Sequence, residues 1–175
     1  MRPSWSKVKT RLAGFDRAGL IGLIQDLYAA NKDTQNFLHT RFDLSPDVLK
    51  PYKTTIQRWL WPEVMKHQDV SVSKAKKAIA DYRKALGLPE GMIELMVFYC
   101  EQASGFSQDI GLQDESYFDA LIRIFTKAME AIQLLPDAQR QLFWDRLNAV
   151  RTVSHDFGYG VGDDMDEIFE EYAQG

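Results

Sequence analysis

Cysteine is nearly absent from this 175-residue chain: one thiol, Cys100, excludes an intramolecular disulfide framework and any paired-cysteine zinc or redox motif. Its neighbours, MIELMVFYC, predict a buried small hydrophobe rather than a reactive group. No run of about 20 uncharged apolar residues is present to cross a bilayer. The opening MRPSWSKVKT is basic but lacks the apolar core of a secretion signal. Together these absences point to a reducing, cytoplasmic setting without membrane insertion. Strand signals are missing as well. Asn-Gly and Asp-Gly turns do not occur, and no alternating β-branched run is bracketed as a strand.

What remains is helical periodicity along almost the whole chain. The pattern predicts an all-α fold of about eight helices in one domain spanning residues 1–175, either a multi-helix bundle or a short α-solenoid-like stack. Trp5–Leu12 reads as a short helix. Asp16 caps a second, whose Leu20, Ile21, Leu23, Ile24, Leu27 and Tyr28 form a broad apolar face expected to enter the core. Asp33 is expected to cap a third helix. Ser45-Pro46 reads as the start of a fourth, with Pro51 allowing a late start or a kink and Pro62 ending it near Leu60. Ser71 or Ser73 opens the next, ended by Gly87. Pro89 begins a helix that is apolar almost all round and therefore central. Asp114 and Pro136 start two more, and the last runs near Asp163–Tyr172.

Charge is unevenly placed. Residues 50–84 carry nine Lys/Arg against three acids, a net of +6, whereas residues 156–175 carry seven acids and no Lys or Arg. The basic stretch interleaves Tyr52, Trp59 and Trp61 with cations, and a nucleic-acid-binding reading would use Lys74, Lys76, Lys77, Arg83 and Lys84. A sequence pI near 5.4 and the lack of any helix-turn-helix, zinc-finger or RNA-recognition signature argue against it. In the acidic end, Asp163/Glu167, Asp166/Glu170 and Glu167/Glu171 are like-charge pairs at i, i+4. Asp163, Asp166, Glu167, Glu170 and Glu171 therefore form a face for solvent, for the basic segment, or for a basic partner.

Ser154, His155 and Asp156 are consecutive, so on a helix they point about 100° apart and cannot align as a triad. A metal-dependent hydrolase around His155 would need further ligands, and His39, His67 and His155 each lack a second His or Cys at ligand spacing. The glycines of GYGVG read as a helix cap at Gly158 followed by a sharp turn. The cluster EQASGFSQDIGLQDESYFD gives either a capped interhelical loop or a polar groove. The groove would be built from Glu101, Gln102, Asp109, Asp114 and Glu115 beside Tyr99 and Tyr117.

From Ser71 onward, SKAKKAIADYRKAL and ELMVFYCEQASGFSQDIGLQDESYFDALIRIF resemble a family of small all-helical bacterial proteins catalogued only as a domain of unknown function. LIGLIQDLYAANKDTQNFL resembles that family's first long helix. The resemblance implies a single helical domain and brings no catalytic residues and no cofactor. The expectation is a protein-interaction or scaffold module, with a protein partner or self-association, and without catalysis of its own.

Overall fold

The computed structural model describes residues 3–173, and among these every regular element is helical. In chain order they are α1 (Trp5–Leu12), α2 (Arg17–Ala30), α3 (Lys32–Arg41), α4 (Lys50–Leu60), a 3₁₀ turn (Val64–Lys66), α5 (Val72–Ala85), α6 (Pro89–Ile110), α7 (Glu115–Ile132), α8 (Asp137–Ser154) and α9 (Val161–Ala173). The helix starts follow from local chemistry. Asp16, Ser71 and Asp114 each accept a hydrogen bond from the backbone three residues on, satisfying a donor the helix cannot.

Two starts differ from the sequence expectation. Asn31, not Asp33, caps α3: its extended backbone ends α2, and Oδ1 accepts from the N–H groups of Asp33 and Thr34. Asp33 lies inside the first turn instead, where the helix dipole favours its charge. α4 begins at Lys50 rather than Pro46. A helix from Pro46 would carry Pro51 in its interior, so Asp47 caps the later start through Leu49 and Lys50, and Pro51 takes the second helical position.

α6 is the hub of a helical bundle, packing against α4, α5, α7 and α8, which a linear stack of neighbours would not do. Leu95, Tyr99, Cys100 and Phe106 of α6 meet Phe118, Leu121, Phe125 and Met129 of α7 in the core, joined by Ile56, Leu60, Tyr82 and Leu147. The start of α6 runs so close under α5 that a Cβ at Gly91 would lie 2.1 Å from the Tyr82 hydroxyl. Gly111, at φ +64°, closes α6 in the left-handed region that glycine enters freely.

α2 departs most from expectation. None of its residues is buried, and none of α1's. α2 packs on α3, whose sequence KDTQNFLHTR is mostly polar and itself sits on α5, so the apolar stripe of α2 has no core beneath it.

Candidate functional site

α3 and α4 both lie on α5 but diverge from each other. α3 runs parallel to α5, with Asp33 near Lys77 and Arg41 near the Lys84 carbonyl. α4 runs antiparallel, with Tyr52 against Tyr82 and Trp59 against Lys74. The two meet where Thr40 Oγ1 and the Tyr52 hydroxyl hydrogen-bond at 3.0 Å, and they splay apart toward Asp33 and Trp59. The V between them is a cavity of about 490 Å³, with Phe37, Tyr52 and Trp59 among its walls and Lys74, Lys77, Asp81 and Lys84 along α5. Burial raises the Tyr52 phenol above its ordinary pKa, with the Thr40 hydrogen bond opposing, so it stays neutral near pH 7.

The five cations singled out from sequence divide here. Lys74, Lys77 and Lys84 line the cavity. Lys76 and Arg83 are exposed outside it. Lys77 reaches Asp81 at 2.5 Å and Asp33 at 3.1 Å, and hydrogen bonds to these two carboxylates hold its pKa above the usual lysine value. The Lys74 ammonium sits 3.8 Å from the centroid of the Trp59 ring, without a carboxylate partner among the described residues. Asp33, Asp81 and Trp59 were not marked as site residues from sequence. The Lys77–Asp81 spacing at i, i+4 was readable, but Asp33 joins only through the tertiary placement of α3.

The polar groove around the α6–α7 junction does not form. Tyr99 and Tyr117 are core residues, and burial raises both phenols well above their ordinary range. The Tyr117 hydroxyl donates to the Leu60 carbonyl at 3.1 Å, tying α7 to α4. Tyr99 Oη and Gln102 Oε1 are buried without a hydrogen-bond partner among the described residues. Asp114 caps α7, its carboxyl held below the usual range by the Ser116 hydroxyl and then by the Tyr117 N–H, while Asp109 and Glu115 face solvent. Glu101 turns away to α8. There Arg146 donates to both Glu101 oxygens, at 2.7 and 2.8 Å, and to both Glu94 oxygens, at 3.2 and 2.6 Å. Lys53 of α4 adds a 2.6 Å contact to Glu94. The carboxylates are thus scattered over separate faces: helix periodicity sends Glu94 and Glu101 to one side of α6 and Tyr99 to the other, while Tyr117 enters the core from α7.

The closing stretch resolves into a turn. α8 ends at Ser154, whose buried hydroxyl donates to the Arg151 carbonyl. The left-handed residues are Tyr159 and Gly160, not Gly158. α9 starts at Val161, before Asp163. α9 packs on α7 and α8, away from α5, so the acidic end is not seated on the basic segment. Asp166 is drawn inward by Arg151 and lies 3.3 Å from His155. Its carboxyl is held below the usual range, first by the Arg151 hydrogen bond. Asp163, Glu167, Glu170 and Glu171 remain exposed. Among the described residues no three His, Cys, Asp or Glu side chains are grouped to hold a metal ion, at His155 or elsewhere. None of the described helices is long and apolar enough to cross a membrane.

The largest anomaly is apolar. Ile21, Ile24 and Leu27 of α2 are 55%, 49% and 51% exposed, and with Leu20 and Tyr28 they share one arc of about 120°. Trp5 and Val8 of α1 and Phe15 of the connecting turn are also exposed.

Fold and surface together define an all-α helical bundle with an uncovered apolar helix at its N-terminal side and a charged cleft between three helices. No protein-family model, curated protein or solved structure matches the chain, so the resemblance to the uncharacterised helical family rests on the quoted segments alone.

Proposed function

We propose that this protein is a cytoplasmic protein-interaction module without catalysis of its own, and that α1 and α2 form its docking surface, with a second copy of the chain as occupant. The observation that carries this reading is the uncovered apolar arc of α2, for which the bundle offers no internal partner. Eight large side chains on α1, α2 and the turn between them are about half exposed. At roughly 200 Å² apiece they present on the order of 800 Å². That exceeds the largest apolar patch of a typical monomer, about 300–600 Å². It equals what each partner contributes to an interface of standard size, about 800 Å². The arc carries no acidic residue, so two copies can meet there without burying a carboxylate, as a two-fold contact requires.

Light scattering coupled to size exclusion, run over a concentration series, tests the reading. The natural chain is expected to run as a dimer. Ile24→Glu combined with Leu27→Glu is expected to run as a monomer with unchanged helical circular dichroism. A natural chain that stays monomeric at every concentration removes the second copy as occupant. If crosslinking in lysate then also finds no protein on α2, the interaction reading falls with it.

A further inference from the structure

A different feature, independent of the apolar helix, carries an inference about a ligand. We propose that the cleft between α3, α4 and α5 binds a small organic anion with a flat apolar body, an arylcarboxylate in chemical class, whose charged group is received by Lys74. The volume of about 490 Å³ lies inside the range of small-molecule sites, roughly 300–1,000 Å³. Phe37, Tyr52 and Trp59 with Pro51 and Ala78 give it apolar surface, and its other lining residues are polar or charged. Phe37 comes from α3 and Tyr52 and Trp59 from α4, so the space is a slot between these two helices with α5 as its third side.

Charge selects the ligand's sign. The cleft holds three lysines and two aspartates. Both aspartates are already engaged by Lys77, and Asp81 has Lys84 at 4.0 Å as well. An incoming ammonium would have to break those ion pairs. Lys74 stands otherwise: its charge rests on the Trp59 ring and meets no carboxylate. A ligand carboxylate can therefore pair with Lys74 without displacing any existing contact, while the ligand's ring occupies the slot. The lysines at either end of the α5 wall lie ten residues apart, about 15 Å of helix, so a monoanion received at Lys74 leaves Lys84 at the far end, while Lys77 between them is held by Asp33 and Asp81. The hydrogen bond between Thr40 and Tyr52 ties α3 to α4 beside the cleft.

The test is titration of ¹⁵N-labelled full chain with 2-naphthoate, 2-naphthylmethylamine and 2-naphthol, followed by backbone amide shifts. Naphthoate is expected to bind with shifts confined to α3, α4 and α5, and more tightly than the amine or the alcohol. Lys74→Gln keeps most of the side-chain length, removes the charge, and is expected to weaken naphthoate about tenfold. Lys76→Gln, an equally charged change on the exposed side of α5, is expected to leave binding unchanged. Asp81→Asn frees positive charge in the cleft and is expected to tighten naphthoate. Preference for the amine, equal loss in the Lys74 and Lys76 variants, shifts centred on α2, or no binding up to the solubility limit would each overturn the proposal. None of these outcomes depends on whether the chain self-associates.

Discussion

Cys100 shows how a residue's surroundings decide its chemistry. It is enclosed in the core, and burial pushes its thiol far above the range in which a thiolate forms near neutral pH. A thiol reagent such as DTNB is expected to leave the native protein unmodified and to react stoichiometrically once urea unfolds it; rapid labelling of the folded chain would contradict that enclosure. Arg146 makes the opposite case, a charge kept inside by partners. Glu101 hydrogen bonds are the first cause of its raised pKa, with Glu94 adding and burial opposing. Burial alone would raise the Glu94 carboxyl, but Arg146 and Lys53 outweigh it and hold it below the ordinary carboxylate value. Arg146→Met takes the guanidinium from two half-buried carboxylates, leaving Glu94 to Lys53, and is expected to cost about 2 kcal/mol in urea unfolding at neutral pH. The sign of the pH effect follows. With the folded pKa depressed, this stabilisation is present above the unfolded carboxyl pKa and is lost as pH falls through the folded one. The gap between natural chain and variant should therefore narrow on acidification below about pH 4.5. A gap that widens would show that the carboxylates are not what Arg146 serves.

At the scale of elements, caps and close approaches give separable predictions. Asp114→Ala removes the α7 cap and should lower stability by about 1 kcal/mol. Gly91→Ala puts a methyl group where the Tyr82 hydroxyl lies and should cost about 1–3 kcal/mol, because neither helix can yield without opening the core. Thermal or urea melts of both variants check these values, and a neutral Gly91→Ala would mean that α5 and α6 are less closely apposed. Most helix boundaries were legible because a cap is a local event: Asp16, Ser71, Asp114, Pro62 and Pro136 act within one turn of themselves. Asn31 and Asp33 competed for one start, and side-chain spacing could not decide which residue would be extended. The Pro46 start failed because Pro51 imposed a later one. The cleft was half legible. Its lysines stood out as a charged run, but their aspartates and the Trp59 contact depend on how α3 and α4 cross α5. The error over α2 has a plain origin: periodicity reveals that a helix has an apolar side, never what covers it.

Across the whole molecule, apolar surface and charge are segregated. The uncovered helix lies at one side of the bundle, the cleft beside it, and the exposed acids on α9, which packs on α7 and α8. If the α2 arc is closed by a second copy, part of the protein's stability is supplied by association, and its melting temperature should rise with protein concentration. The Ile24→Glu, Leu27→Glu chain should melt at one temperature at all concentrations, and differential scanning calorimetry separates the two behaviours. Glu94 and Glu101, gripped together by Arg146, have a further mechanical meaning. They stand seven residues apart, about 10 Å along the axis of α6, and one guanidinium spans both. Sliding α8 by a single turn toward Glu94 would pull that fork off Glu101, and sliding it the other way would leave Glu94 to Lys53 alone. α8 is thus keyed to α6 like a pawl on a rack, its register held by one guanidinium.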